Sequence, residues 1–381
     1  MTQSTLQSPT DNPAFDNHEQ VHRFVLDESK DIVAYIAVHN TALGPALGGC
    51  RIKKYASEAD ALYDVLRLSR GMTYKNAMAG LPLGGGKAVI IADPQTEKTP
   101  ELMQKFGECV QSLNGAYVTA EDSGTTEEDM ENILKSTSFV TGLRPALLKE
   151  KGFDTLGGNP SPLTALGCFE GIKAAVLHRY DRTDLKGLKA SIQGVGAVGL
   201  SLAELLYSAG VELTIADINE LNIKKATNVL KGVSVVRADE IYAVNAEIFV
   251  PCALGGVLNE DTIPQLTSEI IAGPANNQLA KSKHGEMLAA QNITYVPDYV
   301  INSGGVICVG YEYFMTSGHN PYELTLTEYA MTQHVCGIGN AVSEILSYAK
   351  TNHINPGKAA DALAEEKFGS GTNSKSQSSA A

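Results

Sequence analysis

Lys189-Ala190-Ser191-Ile192-Gln193-Gly194-Val195-Gly196-Ala197-Val198-Gly199 joins a short run of strand residues to a glycine turn, with an apolar helix pattern from Leu200 onward. The run Gly194–Gly199 fits G-x-G-x-x-G. That pattern is weak in isolation, because turns of every kind use glycine. Set between a strand and a helix, it has the context that dinucleotide binding requires. Gly194 allows the tight turn, Gly196 lets backbone approach a pyrophosphate, and Gly199 lets helix and strand close up. Val195, Ala197 and Val198 complete a turn whose free N–H groups, at a helix N-terminus, hold phosphates.

The following strand, Leu213–Ala216, leads into Asp217, eighteen residues past Gly199. A carboxylate there accepts from the ribose hydroxyls and repels a 2′-phosphate, and no Arg or Lys follows until Lys224. NAD is therefore the expected cofactor rather than NADP.

Outward from this stretch the pattern is α/β. Helices are expected at Pro162–His178, Leu200–Ala209 and Glu220–Leu230, with the alternation running through Val309. Upstream, His22–Leu26 and Ile32–His39 read as paired strands, Gly44–Ile52 as a third and Ala88–Ala92 as a fourth. Apolar steps of three and four predict a helix over Ala56–Met78, and another near Pro100–Leu113. Ala116–Thr119 is a strand, and Thr125 and Thr126 before three acids mark a helix start. One helix covers most of Leu326–Asn352. The expected fold is α/β, two domains with a cleft, the second a Rossmann-type doubly wound sheet. Residues 1–147 form the substrate-binding and oligomerisation domain, with 330–368 packing back on it. Residues 148–329 form the NAD-binding domain, with Pro145–Asn159 as connector, and 369–381 a disordered tail.

The net charge of −13 and the lack of a long basic run exclude a nucleic-acid binder. Six scattered cysteines, with no C-x-x-C pair and no histidine at ligand spacing, exclude a zinc site and a disulfide framework. No secretory signal and no membrane-spanning run is visible, so the expected compartment is the cytoplasm.

Chemistry is foreshadowed by Lys75 and Lys87, twelve positions apart, with Gly84-Gly85-Gly86 directly before the second. Three glycines in a row suit neither helix nor strand on entropic grounds, and so predict backbone that approaches a small ligand closely. Lys75 falls on the apolar stripe of its helix, in the last turn, and Asp122 follows a strand's C-terminal end, where α/β sheets gather ligands. Singly, each reads as a surface lysine or a cap; jointly they read as a site. By spacing, Glu121 serves as well as Asp122.

The segments Gly44–Arg51, Gly71–Lys75, Gly84–Lys87, Tyr117–Gly124, Gly158–Thr164 and Gly194–Gly199 resemble the glutamate/leucine/phenylalanine/valine dehydrogenases, the leucine branch most of all. The resemblance implies reversible NAD-dependent oxidative deamination of an L-amino acid to a 2-oxo acid and ammonia, by a homo-oligomer, octameric in the leucine branch. It makes Lys75 the ligand of the substrate α-carboxylate, Lys87 the catalytic lysine, and Asp122 the carboxylate that exchanges a proton with the substrate nitrogen. Asn277 corresponds to a contact of the substrate carboxylate, Asn276 lies by the nicotinamide, and Thr164 holds the nicotinamide amide.

Leu47 stands where glutamate-specific members carry a lysine, and Val309 where they carry a hydroxyl. Leu47 beside Gly48, with Ala120, Val306 and Val309, matches an apolar pocket for leucine, valine and isoleucine. The aromatic run Tyr311–Tyr322 keeps an aromatic substrate, such as phenylalanine, open. A dehydrogenase of another class and a non-catalytic NAD-binding protein are the rival readings.

Overall fold

A computed structural model describes residues 3–5, 14–153, 159–253 and 255–378. The chain divides into two compact units: Met1–Gly158 with Cys308–Met331 and Ala364–Ala381, and Asn159–Ile307 with Thr332–Leu363.

The first unit is built on β1 (Gln3–Thr5), β2 (Gln20–Asp27), β3 (Ile32–Asn40), β4 (Ala46–Lys53), β5 (Gly84–Ile91) and β6 (Tyr117–Glu121), in spatial order β1-β2-β3-β5-β4-β6. β3 meets β5 antiparallel, while β4 runs parallel to both β5 and β6. Helices α1 (Glu58–Met78), α2 (Pro100–Ser112), α3 (Glu127–Leu134) and α4 (Pro145–Glu150) complete it.

Side chains alternate across the sheet. Ile36, Cys50, Ala88 and Ile90 enter a core with Met103 and Phe106 of α2 and Met130 of α3. Val33, Tyr35 and Val89 pack instead on Ala61, Val65 and Leu66 of α1. The Ser57 side chain caps α1 by accepting from the Asp60 N–H, and Thr126 and Asp129 form a reciprocal capping box on α3.

The three glycines before Lys87 are strand residues of β5, contrary to the expectation of a ligand-cradling loop. The close approach is real, but the protein itself makes it. A Cβ on Gly84 would stand 2.0 Å from the Asn40 carbonyl oxygen, one on Gly85 2.0 Å from the Thr73 nitrogen, and one on Gly86 2.7 Å from the Tyr117 ring. Helix α1 and the neighbouring strands lie too close for any side chain, and that contact outweighs glycine's entropic disadvantage in a strand.

The second unit holds β7 (Lys189–Gln193), β8 (Glu212–Ala216), β9 (Ser234–Val235), β10 (Ile248–Pro251), β11 (Ile270–Ile271) and β12 (Thr294–Tyr295). All pair in parallel, in spatial order β12-β11-β10-β7-β8-β9. Counted within the unit this is 6-5-4-1-2-3, the dinucleotide-binding order. The unit's helices are α5 (Ser161–Tyr180), α6 (Ala197–Ser208), α7 (Glu220–Val229), α8 (Lys283–Ala290) and α9 (Asp298–Ile301); of those that follow, α10 (Gly304–Ser317), α11 (Glu328–Cys336), α12 (Ile338–Asn352) and α13 (Pro356–Ser378), only α12 belongs wholly to this unit.

The single helix expected over Leu326–Asn352 is two, broken at Gly337, so that α12 can lie along α5. Gly167 admits the contact: a Cβ there would stand 2.4 Å from Cδ1 of Ile338, the first residue of α12. Thr332–Leu363 groups with this unit, where packing on the first domain was expected. Helix α13 runs on through Ser378, over residues whose composition favours an unstructured tail, and 379–381 lie outside the described residues. The connector expected over Pro145–Asn159 contains α4, and 154–158 also lie outside the described residues.

Candidate active site

Strand alternation assembles the first-unit site. Ala88 and Ile90 point to the α2 side, which leaves Lys87 on the α1 face of β5. Tyr117 points to the α2 side, so Ala120 shares the face of Lys87 and Glu121 does not. The acid that reaches Lys87 is Asp122, just past β6. Its Oδ2 lies 2.6 Å from Lys87 Nζ. Lys87 is only 6 % exposed, and a buried ammonium needs an anionic partner.

Asp122 has a second cation. Arg51 Nε donates to the same Oδ2 at 3.2 Å, and Arg51 is held in turn by Asp64 at 2.9 Å. Tyr55 donates its hydroxyl to Asp64 at 2.8 Å. Burial acts most strongly on Asp122 and favours its neutral form, yet the Lys87 ammonium and the Arg51 guanidinium outweigh it and hold the carboxyl at about 2. The composition reading missed Arg51, Asp64 and Tyr55. Arg51 lay inside a quoted motif, and its position on a glycine-flanked strand was the available signal.

Lys75 sits half-buried in the last turn of α1, as its spacing predicts. The next residue fastens that turn to the sheet: Asn76 Nδ2 donates to the Gly84 carbonyl at 2.6 Å and to that of Leu47 at 3.4 Å. Leu47 is fully buried on β4, and the Gly48 carbonyl accepts from the Tyr117 hydroxyl at 2.6 Å. Val309 lies half-buried on α10, its carbonyl accepting from Thr141 at 3.0 Å.

Gly49 pairs with Ala120, and a Cβ there would stand 2.6 Å from the Glu121 carbonyl oxygen and 2.8 Å from Asp122 Cβ. Gly49→Ala is therefore expected to push Asp122 off Lys87 and lower kcat about 100-fold, the cost of misplacing a reacting group by about 1 Å. Steady-state kinetics check this, with the KM for the dinucleotide unchanged.

The second unit carries the glycine loop. Gly194 has φ 94°, a conformation that favours glycine, and a Cβ on Gly199 would stand 2.2 Å from the Gly194 carbonyl oxygen. Gly196, exposed as the N-cap of α6, has nothing within 4 Å of its would-be Cβ, which leaves its backbone open to a ligand. At the end of β7 the buried Gln193 Oε1 has no hydrogen-bond partner. Asp217 is fixed beside the loop by the Val195 N–H at 2.9 Å and the Asn219 N–H at 2.8 Å. An open backbone cradle, a helix N-terminus and a fixed carboxylate fit a dinucleotide.

Asn276 Oδ1 accepts from Asn302 Nδ2 at 2.7 Å, and Asn277 is exposed with φ 52°. Thr164 lies in the first turn of α5, its hydroxyl donating to the Pro160 carbonyl at 3.0 Å, and Val306 is buried on α10. Among the described residues no group of three or more His, Cys, Asp and Glu could hold a metal ion.

Residues 18–139 match the family model described as "Glu/Leu/Phe/Val dehydrogenase, dimerisation domain", and residues 160–372 the model described as "Glutamate/Leucine/Phenylalanine/Valine dehydrogenase". The chain belongs to the Glu/Leu/Phe/Val dehydrogenase family. It is 44% identical to leucine dehydrogenase of Bacillus subtilis over 93% of this chain and 92% of that one. Phenylalanine dehydrogenase of Caldalkalibacillus thermarum is 42% identical over 92% and 91%. The crystal structure of L-tryptophan dehydrogenase from Nostoc punctiforme superposes with a TM-score of 0.78, at 40% identity, over 93% of this chain and 97% of that one. The family membership makes the protein an L-amino-acid dehydrogenase, and it bears out the α/β fold with its Rossmann-type sheet. Leucine, phenylalanine and tryptophan enzymes lie at nearly equal identity, so relatedness fixes the reaction and leaves the side chain open.

Proposed function

We propose that this dehydrogenase converts a branched-chain L-amino acid, leucine first, to its 2-oxo acid and ammonia, reversibly and with NAD. The observation that carries the reading is the 2.6 Å contact of Lys87 Nζ with Asp122 Oδ2, on a sheet whose buried Leu47 offers no partner to a side-chain charge.

Lys75 holds the substrate α-carboxylate, and Asn277 contacts the same group. The Gly194–Gly199 turn holds the pyrophosphate and Asp217 the adenosine ribose, while Thr164 and Asn276 serve the nicotinamide. When bound, the nicotinamide supplies the acceptor for a hydride from Cα. Lys87 takes the proton of the water that adds at the oxidised carbon. Asp122 exchanges protons with the substrate nitrogen. With Lys87 and Arg51 both charged beside it, Asp122 stays ionised at neutral pH. Of the two cations, Lys87 acts on Asp122 more strongly than Arg51.

Leu47, Gly48, Ala120, Val306 and Val309 line the side-chain pocket in this reading. Setting a glutamate γ-carboxylate unpaired against Leu47 costs several kcal/mol, on the order of the penalty for any uncompensated buried charge. A second reading, an aromatic substrate, is supported by the phenylalanine and tryptophan dehydrogenases among the relatives. We further place the enzyme in the cytoplasm as a homo-oligomer, an octamer by its resemblance to the leucine branch. Its free thiols and its match to a dimerisation domain support this.

NADH formation with leucine, valine, isoleucine, phenylalanine, tryptophan and glutamate tests the proposal, each run with NAD and NADP. Leucine should lead, with valine, one methylene smaller, behind by about 10–200-fold at most, and its isomer isoleucine also behind. A lead for phenylalanine or tryptophan selects the aromatic reading, and a lead for glutamate overturns the argument from Leu47.

A further inference from the structure

Helix α10 carries a buried acid that the reaction does not use. Glu312 is 2 % exposed, and its Oε1 accepts the backbone N–H groups of Gly142 at 2.8 Å and Leu143 at 2.9 Å. One turn earlier on the same helix, the Val309 carbonyl accepts the Thr141 hydroxyl at 3.0 Å. Thr141 is itself laced to the sheet, since its N–H donates to the Thr119 carbonyl of β6 at 3.0 Å. A third contact lies between them in sequence: a Cβ on Gly310 would meet Leu81 and Leu83 at 3.3–3.4 Å.

The position of Val309 along β6, the strand of Ala120, is thus set by polar bonds from one short segment, 141–143. Apolar packing alone tolerates sliding by fractions of an ångström, whereas directed bonds to a fixed backbone do not.

We propose that Glu312 and Thr141 are positioning residues for substrate selection: they strap α10 to the edge of β6 and so fix where Val309 stands. This rests on the reading of Val309 as a pocket residue. It adds two polar groups, neither of which touches the substrate, as determinants of side-chain preference.

The strap responds to pH. Burial pushes the Glu312 carboxyl up to about 7, with Glu127 of α3 adding to it, against the pull of the Leu143 N–H, the Thr141 hydroxyl and the Gly142 N–H. The titratable groups that face it are Glu127 and the Cys308 thiol on its own helix, which burial holds at about 11, outside the working range. Among the described residues no salt bridge includes Glu312. Ionised Glu312 grips the two N–H groups more tightly than the neutral acid. Burial nevertheless outweighs those bonds, so the docked helix favours the neutral acid and the strap loosens as pH rises through about 7.

The test uses the full-length enzyme and its variants Thr141→Val, Glu312→Gln and Val309→Ala, with KM and kcat for leucine and valine from pH 6 to 9. Thr141→Val should raise the leucine KM about 5-fold, leave kcat within 2-fold, and shift the leucine:valine ratio of kcat/KM by 3-fold or more. Glu312→Gln keeps an acceptor but cannot ionise. It should keep a near-normal KM and lose the wild-type inflection near pH 7. If Val309→Ala shifts the ratio while Thr141→Val does not, and the Glu312→Gln profile overlays the wild type, the strap is overturned and the pocket stands. If Val309→Ala leaves the ratio unchanged, the pocket reading falls and takes the strap with it.

Discussion

Lys87→Ala is expected to lower kcat by roughly 10²–10⁴-fold, the usual contribution of a positioned general acid–base group. The fold should survive, because Asp122 keeps its contact with Arg51 at 3.2 Å and is not left without a cation. Binding of the dinucleotide should persist, since Gly196 and Asp217 belong to the other unit. The variant also carries a signature in acid. The Asp122 carboxyl lies below its ordinary value, so its contribution to stability is present above pH 3.8 and is lost as pH falls toward about 2. Taking away Lys87 raises that pKa toward its ordinary value and should remove about 2 kcal/mol or less of this acid-labile stability, at about 1.4 kcal/mol per unit. Single-turnover rates and acid melts of purified protein check both. A folded Lys87→Ala enzyme with wild-type kcat would reject the assignment.

Gly85→Ala should damage stability rather than chemistry. The new Cβ would stand 2.0 Å from the Thr73 nitrogen, 2.2 Å from its Oγ1 and 2.4 Å from its Cα. Backbone cannot turn aside as a side chain does, so α1 must lift away from β5. That movement strains the His39–Thr73 hydrogen bond, 2.8 Å, and the Asn76 bond to Gly84. A loss of about 3 kcal/mol or more is expected, at or beyond the upper end for overpacking. Urea unfolding measures it. Gly71→Ala, in α1 itself, is the control: nothing lies within 4 Å of its Cβ, and it should gain about 0.5–1 kcal/mol. Equal stability for Gly85→Ala and wild type would contradict the packing described.

The dinucleotide half of this protein was legible because its signals are local. Strand β7, the glycine turn, α6, β8 and Asp217 follow one another in the chain, and the role of each glycine depends on neighbours a few residues away. The substrate half was legible only in outline. Nothing in the run Gly84–Gly86 tells that the atoms crowding it come from Asn40, Thr73 and Tyr117. The choice between Glu121 and Asp122 needed the face assignment of β6, and spacing leaves that open. Arg51 and Asp64 are thirteen residues apart and meet only because β4 and α1 pack together. The break at Gly337 was likewise hidden, since apolar periodicity continues on both sides of it.

The lysine assigned the chemistry is held by an interior strand, paired along β5 with β3 and β4, and not by a loop. Its Cα has almost no freedom to wander, and the glycines before it forbid local redesign. Leu47, Ala120 and Val309 stand on other elements, β4, β6 and α10. On the pocket and acid–base couple proposed above, retargeting to a bulkier or smaller amino acid means re-cutting three side chains while Lys87 and Asp122 are left alone. Such a division of labour lets one scaffold serve many diets.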